Sequence, residues 1–524
     1  MKPVPPIHER TLLHVVRRGA VAHPDAPAIS DENISLSYRQ LWDRACTIAG
    51  GLRNAGVQAG ERVLMMLDNS ADCFVLLLAT SFAGAELVPV NLAWRDAHLA
   101  HAIGEAGCVA AVVDPEYLPA VLAVSEGRLR TIVVRGGDDS LAADWTWDSL
   151  LAGDPVEPVE AGPETTPVII FTSGTTGRSK GVRTTHAQIV TMCCYSPHLP
   201  ELGTAEKWYV PAPMFHALGL FGGAFAPLIF GASSFVTSRF SPSRFWAEVR
   251  SSGATTMLAV GTMIDFLVAQ PERPDDRYNP LRIANCVPRP AAAQQFRDRF
   301  DVLVTTSYGS SEHGTSIVDW SRNPVDRSLG KPREGVSVRL VDPAGKDVGP
   351  NEAGELWLRP EHRSVFTPGY VNSPEATAAL ERNGWFPTGD VLRRDEAGLL
   401  YYVDRLRDSI RRRGENISSV EVELAVTAHD EVIECAAVGV GDPADQEVMV
   451  AVIRTPDSTL TESELVLFAA GRLPYYAVPR FVVFVSDLPR TPTGKIQKVR
   501  LREADLPSWD REAAGVTIAR PGRR

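Results

Sequence analysis

Residues 168–182, Val-Ile-Ile-Phe-Thr-Ser-Gly-Thr-Thr-Gly-Arg-Ser-Lys-Gly-Val, decide the reading of this chain. Val168–Phe171 is a short β-branched and aromatic run of the kind that forms a buried strand. It passes into Thr172, Ser173, Gly174, Thr175, Thr176 and Gly177, none with a bulky side chain, and then reaches Lys180. Such a loop can turn several backbone N–H groups and hydroxyls toward one anion, and the lysine adds a positive charge. Polyphosphate suits that set. The spacing is not that of a Walker A loop, because G-x-x-x-x-G-K-[ST] cannot be laid over Gly174, Gly177 and Lys180. Taken alone, a Ser/Thr/Gly run is also what a surface linker looks like. The apolar strand before it, and a lysine after it in a chain with only seven, favour the phosphate loop.

Outward from this loop, the bulk properties narrow the class. At 524 residues the chain exceeds what one core organises, and the length prior gives two to four domains. Hydrophobic residues make up 44% and charged residues 22%, as in ordinary globular proteins. A net charge of −11 argues against nucleic acid or an anionic membrane as partner. The seven cysteines show no metal-ligand spacing, which fits a reducing, cytoplasmic setting. The N-terminal stretch lacks a signal peptide's apolar centre. The longest apolar run, Phe74 to Ala85, is too short to span a bilayer.

Before the loop, strand-like 63–67, 86–90 and 109–114 alternate with helical 70–83 and 95–106, the pattern of a parallel sheet covered by helices. An acidic, Pro/Gly-rich connector is expected over 136–166. After it come a helix over 186–194, the turn Pro213-Met214-Phe215-His216, and a Gly/Ala-rich helix. The small-residue face of that helix reads as room for an apolar ligand. Further strands fall at 255–260, 282–287 and 302–307, followed by Thr306-Ser307-Tyr308-Gly309-Ser310-Ser311-Glu312. A tyrosine face can stack on a base, a hydroxyl can bind a phosphate oxygen, and a carboxylate can hold Mg²⁺ beside phosphates. In Thr388-Gly389-Asp390 a carboxylate with two acceptor oxygens suits a pair of ribose hydroxyls. Past Asp404-Arg405-Leu406-Arg407-Asp408 the composition turns Arg-rich. A small α/β region ends on Pro489-Arg490-Thr491-Pro492-Thr493-Gly494-Lys495, where a stiffened loop presents a lysine at defined reach. Read singly, His216 is also a half-buried loop histidine, YGSSE and TGD are common turns, and Lys495 is a surface lysine.

These motifs, in this order, resemble those of the adenylate-forming superfamily, which comprises acyl-CoA synthetases, peptide-synthetase adenylation domains and firefly-type luciferases. The resemblance runs over about residues 10–505. Arg412-Arg413-Gly414-Glu415-Asn416-Ile417-Ser418-Ser419 looks most like the carnitine- and crotonobetaine-CoA ligases. Two departures stand out: Ser311 replaces a threonine, and Asn285-Cys286-Val287-Pro288 replaces a Gly-Ala-Pro-type stretch bordering adenine and acyl group.

The resemblance implies an α/β fold with a large, multi-subdomain N-terminal domain over 1–404, carrying parallel-rich sheets and helices. A small mobile α+β domain is expected over 405–505, with a flexible tail over 506–524. It implies an acid–thiol ligase that uses ATP, Mg²⁺ and CoA and proceeds through acyl-AMP. Thr172–Gly177, Lys180, Tyr308, Gly309, Ser311, Asp390 and Arg405 would bind nucleotide, and Glu312 the metal. His216 would line the carboxylate site, Lys495 and Arg405 would act in adenylation, Arg407 would be a hinge, and Gly414 would approach the pantetheine thiol. His216-Ala217 stands where amino-acid-activating members place an aspartate, so an α-amino acid is not expected. The apolar Leu218–Phe225 wall suggests a hydrophobic acid. Two alternatives remain: an adenylating enzyme that hands its product to a carrier protein or downstream enzyme, and a catalytically silent nucleotide-binding protein.

Overall fold

The computed structural model describes residues 4–136, 144–172, 179–195, 203–322, 324, 327–412, 415–442, 445–490, 496–504 and 506–518. They divide into two compact units. The first takes in 4–172, 179–337 and 359–384, and the second 338–358 and 385–518.

The first unit is an α/β structure built on two sheets. A seven-stranded sheet has the order Trp145–Thr146, Thr131–Val134, Ala110–Val113, Arg62–Met66, Glu86–Pro89, Val168–Thr172, Lys180–Thr184. Its pairings are parallel except the last, where the hairpin closes with Thr172 opposite Lys180. The parallel strands are continuous apolar runs because both faces are covered. Apart from Asp72 in its first turn, which pairs with Arg44, the Ala71–Ala83 helix on one face is buried through Ala83 and predominantly apolar, as a helix inside a large core must be. The sequence placed it over 70–83, and the neighbouring strands also match to within a residue or two.

In the second sheet, Lys207–Val210, Ser233–Val236, Thr256–Ala259, Ile283–Cys286 and Leu303–Ser310 run parallel to their neighbours. Leu303–Ser310 then turns back antiparallel into Gly314–Asp319.

Two expectations for this unit are corrected. The 136–166 connector carries structure: Trp145–Thr146 joins the sheet edge and Trp147–Leu151 is a helix with a Thr146/Ser149 capping box. Trp147 and Leu150 are buried, and that burial holds the turn in place despite the acidic, Pro-rich surroundings. The Gly/Ala-rich helix is a π-helical stretch, Leu218–Phe225, and its small residues leave no room on their side. A Cβ on Gly219 would sit 2.4 Å from the Pro213 carbonyl oxygen, and one on Gly223 would meet Val210 Cγ1 at 2.5 Å. The glycines let the helix lie directly against its own turn and the Lys207–Val210 strand. Leu220, Phe221, Ala224 and Phe225 are fully buried in the core.

In the second unit, Phe386–Arg394 pairs antiparallel with Leu400–Arg405, bringing Asp390 opposite Arg405. Farther along, Val432–Asp442 pairs antiparallel with Asp445–Arg454, which runs parallel to Phe481–Phe484. The Ser419–Thr427 and Glu462–Ala470 helices supply Val422, Val426, Leu465 and Val466 to the core beneath this sheet. The expected flexible tail is corrected over its described part. Trp509–Asp510 adds a strand to Phe481–Phe484, and Arg480 pairs with Asp510 at 3.0 Å. Trp509 and Ile518 pack on the core, so the folded structure runs past 505.

Candidate active site

The proposed phosphate loop has described stems. Ser173, Gly174, Thr175, Thr176 and Gly177 lie outside the described residues, while Thr172 and Lys180 close the hairpin in register. Phe171 fixes one stem, with Trp94 edge-on at 5.9 Å and the His101 ring at 6.3 Å. His101 fixes the other, its Nε2 lying 2.8 Å from the Ser179 carbonyl oxygen. Both stems are therefore held at the sheet edge.

Tyr308, Gly309, Ser311 and Glu312 follow from the Leu303–Ser310/Gly314–Asp319 hairpin. The register shifts between Tyr308 and Gly309. A Cβ on Gly309 would stand 2.3 Å from the Gly314 carbonyl oxygen, so the approach of the two strands requires glycine. Tyr308 stacks on the buried His313 ring at 5.6 Å, and His313 Nδ1 lies 2.9 Å from Ser316 Oγ. Ser310, rather than Ser311, shapes the turn: its Oγ accepts the Glu312 N–H at 3.1 Å. The Ser311 carbonyl accepts from Gln188 Nε2 at 2.8 Å, and the Glu312 carbonyl from the Thr367 N–H at 2.7 Å.

One residue the sequence reading passed over joins these two motifs. The Tyr370 hydroxyl donates to Glu312 Oε1 at 3.0 Å, and Lys180 Nζ lies over the Tyr370 ring at 5.1 Å. Its backbone is pinned beside the Lys180–Thr184 strand, with Arg183 N–H donating to the Gly369 carbonyl at 3.1 Å and Val371 N–H to that of Gly181 at 2.9 Å. Gly369 has φ +145°, and a Cβ there would collide with Thr377. The sequence signal was the Thr367-Pro368-Gly369 turn ahead of an aromatic residue.

In the second unit Arg405 Nε lies 2.7 Å from Asp390 Oδ1, with Asp390 buried and Arg405 partly exposed. The neighbouring Asp404 is spoken for. Its Oδ2 accepts the Ser419 N–H at 2.6 Å and its Oδ1 the Ser419 hydroxyl at 3.0 Å. Ser418 Oγ donates to the Val403 carbonyl at 2.7 Å, and Lys498 Nζ reaches Ser419 Oγ and Glu423 Oε1, each at 2.6 Å. Burial raises the Asp404 and Glu423 carboxyls above their ordinary range, and the Lys498 charge is the first influence opposing that rise. Arg407 is half-buried, its guanidinium lowered by burial and then by the Arg405 charge, while Arg502 Nη1 donates to its carbonyl at 3.2 Å. Lys495 and Gly414 lie outside the described residues.

His216 belongs to a different element. Its N–H donates to the Pro213 carbonyl at 3.1 Å and its ring meets that of Phe215 at 4.7 Å, just before the π-helical stretch. The structure thus brings Lys180 to Glu312 through Tyr370, and Asp390 to Arg405. A cavity of about 300 Å³ is lined by Arg18, His23, Cys194 and Leu228 and by none of the expected site residues. Among the described residues no three His, Cys, Asp or Glu side chains group as a metal cage. A lone carboxylate, Glu312, is nevertheless what Mg²⁺ uses when phosphates complete its shell. No helix among the described residues is long and apolar enough to cross a membrane.

The hairpin stems of the proposed phosphate loop, the Lys180–Tyr370–Glu312 contacts and the separate Asp390–Arg405 pair are the geometry against which the comparisons stand. Residues 16–371 match the AMP-binding enzyme family and 421–495 its C-terminal domain. The chain is 33% identical over 494 residues to a feruloyl-CoA synthase of an Amycolatopsis species, covering 93% of this chain and 97% of the relative. It is 30% identical over 482 residues to the crotonobetaine/carnitine–CoA ligase of Citrobacter koseri, covering 89% and 93%. Among solved structures, ATP-bound MatB from Rhodopseudomonas palustris aligns with a TM-score of 0.84 at 26% identity, covering 93% of this chain and 98% of that one. The chain belongs to the AMP-binding enzyme family, within the adenylate-forming superfamily, and its place there is among the AMP-forming acyl-CoA ligases.

Proposed function

We propose that this enzyme activates a carboxylic acid that is not an α-amino acid, and is hydrophobic, as its acyl-AMP and passes the acyl group to CoA. The observation that carries the reading is the convergence of Lys180 and Glu312 on Tyr370 beside the phosphate loop. A cation and a carboxylate at the mouth of one loop are the partners that Mg·ATP requires.

In the first step the acid's carboxylate oxygen attacks the α-phosphorus and pyrophosphate leaves. Lys180 and Lys495 offset the charge that builds on the phosphates, Arg405 reaches the ribose or the α-phosphate, and Asp390 accepts hydrogen bonds from the ribose hydroxyls. Tyr308 and Gly309 cover the adenine, and Ser311 offers a phosphate its hydroxyl. Mg²⁺, held through Glu312, would supply charge neutralisation at the phosphates. In the second step the CoA thiolate attacks the acyl carbonyl and AMP leaves, so neither step needs a nucleophile from the protein. His216 lines the acid's site, and Gly414 lets the pantetheine arm approach. Rotation at Arg407 exchanges Lys495 for the Gly414 loop between steps, because one cleft cannot hold both.

The acid's class rests on the 213–225 segment, which carries no carboxylate to pair with an α-amino group. Phe215, Ala217 and Leu218 there are only half-buried, leaving an apolar face that the fully buried Phe221 and Phe225 do not provide. The test is acid-dependent ATP–pyrophosphate exchange across a panel of aromatic, aliphatic, polar and α-amino acids, then acyl-CoA formation with the acids that respond. Exchange with apolar acids and none with amino acids agrees with the proposal. Exchange confined to amino acids would overturn the assignment of the acid.

A further inference from the structure

Tyr370 touches two charged side chains of the candidate site at once. Its ring lies beneath the Lys180 ammonium at 5.1 Å, while its hydroxyl donates to Glu312 Oε1 at 3.0 Å. Lys180 is exposed and Glu312 half-buried, so neither needs a partner to be tolerated where it is. What the tyrosine changes is the kind of partner each one has. A lysine and a glutamate placed at one loop mouth tend to pair with each other. A nucleotide–metal complex would then have to break an ion pair before binding either group.

A phenol between them gives each a neutral partner. The ring attracts the ammonium through its quadrupole, worth little at an exposed site. The hydroxyl takes one carboxylate oxygen by a charge-assisted hydrogen bond and fixes the carboxylate's orientation. This arrangement leaves the Lys180 charge available to phosphate. It also resembles the way groups behind a metal ligand fix the ligand's direction.

The position is over-determined by backbone contacts on both sides. Tyr370 N–H donates to Thr377 Oγ1 at 3.0 Å, and the residue forms an isolated bridge to Val182 on the Lys180–Thr184 strand. Thr367 links the same segment to both motifs. Its N–H donates to the Glu312 carbonyl at 2.7 Å and its hydroxyl to the Arg183 carbonyl at 2.6 Å. Tyr370 therefore travels with the phosphate-loop hairpin and with the Glu312 turn together.

We infer that Tyr370 is a positioning residue that orients Glu312 for the divalent cation and holds Lys180 ready for the phosphates. The inference rests on the assignment of Glu312 and Lys180 made above. It needs a readout other than turnover, because loss of activity alone would also follow from a purely structural role.

The experiment measures Mn²⁺ bound to the complex of the full-length enzyme with α,β-methylene-ATP, by the electron paramagnetic resonance of free Mn²⁺. Analogue affinity in EDTA is measured alongside. Tyr370→Phe keeps the ring and removes the hydroxyl. Its Mn²⁺ affinity should fall on the order of tenfold, the low end for losing a group behind a metal ligand, with metal-free nucleotide affinity unchanged. Tyr370→Leu should lose the same metal affinity and, in addition, about threefold in metal-free nucleotide affinity. Glu312→Gln/Tyr370→Phe should bind Mn²⁺ no worse than Glu312→Gln alone, since the hydroxyl acts through that carboxylate. Wild-type Mn²⁺ affinity in Tyr370→Phe, or losses that simply add in the double variant, would overturn the inference while leaving Glu312 in place. Wild-type affinity in Glu312→Gln would overturn the metal assignment itself and this inference with it.

Discussion

At the scale of single residues, the candidate site holds Lys180 and Glu312 each against Tyr370, and Asp390 against Arg405. Glu312 has one oxygen engaged by Tyr370 and its backbone fixed by Ser310 and Thr367. Replacing it by glutamine preserves size and one acceptor but removes the charge. Glu312→Gln should raise the Mg²⁺ concentration for half-maximal activity by about tenfold or more, with excess Mg²⁺ restoring part of the rate. A Mg²⁺ titration of acyl-AMP formation checks this, and an unchanged midpoint would remove Glu312 from the metal. Glu312, Tyr308 and Asp390 stand out in the sequence as candidates because each lies in a short motif in a fixed order. Tyr370 does not, since its contacts come from a strand and a turn distant in sequence. The motif order singles out Ser311 as the candidate hydroxyl, and only the turn shows that the backbone uses the hydroxyl of its neighbour Ser310.

At the scale of elements, most helices and strands of the first unit were legible because their apolar period is strong and Gly or Pro marks their ends. The π-helical Leu218–Phe225 was misread for a physical reason. Small residues signal close approach, but sequence does not say whether a ligand or a neighbouring strand comes close. Here it is Pro213 and Val210. Gly219→Ala should therefore cost about 1–3 kcal/mol by overpacking and displace the turn carrying His216. Lowered thermal stability together with a changed acid preference would bear this out, and a silent substitution would contradict the close packing.

His186, at the start of the His186–Cys194 helix, gives a pH prediction at the same scale. Burial lowers its pKa to about 3, and its Nδ1 accepts the Leu12 N–H at 3.3 Å. The unfolded histidine takes up its proton near 6.5, so stability from this group is whole above that pH. It is lost as pH falls through 6.5 toward 3, at about 1.4 kcal/mol per pH unit. His186→Asn, which can still accept from Leu12, should lose less melting temperature than wild type between pH 7.5 and 5.5. Parallel curves would show that His186 does not titrate on unfolding.

At the scale of the whole molecule, the proposal requires a change of conformation, and the second unit shows what that change must break. Val403 and Asp404 lie before Arg407, whereas Ser418, Ser419 and Lys498 lie after it. The Ser418–Val403 and Ser419–Asp404 hydrogen bonds therefore span the proposed hinge, and the Arg502 bond ends on the Arg407 carbonyl itself. Arg407→Ala keeps the backbone's freedom and should cost less than about tenfold in either half-reaction. Arg407→Pro fixes φ near −65° and should retain one half-reaction and lose the other without lowering melting temperature. Lys495→Ala complements this: acyl-AMP formation should fall by at least about a hundredfold, while thiolation of supplied acyl-AMP persists. Equal loss of both steps in Lys495→Ala, or both steps intact in Arg407→Pro, would contradict the division of labour. The fold past 505 was the least legible part at this scale. Trp509 and Arg511 belong to the small unit's sheet edge and core, but they sit among the charged and Gly-rich residues typical of a loose end.

The central claim is that one chain carries both half-reactions through acyl-AMP. Rapid-quench analysis of the purified enzyme with ATP, CoA and a responsive acid tests it most directly, following ATP, AMP, pyrophosphate, acyl-AMP and acyl-CoA together. The account predicts that acyl-AMP and pyrophosphate rise first, and that AMP and acyl-CoA then appear in equal amounts as acyl-AMP decays. Formation of ADP and phosphate, or acyl-AMP that accumulates and never passes to CoA, would contradict it.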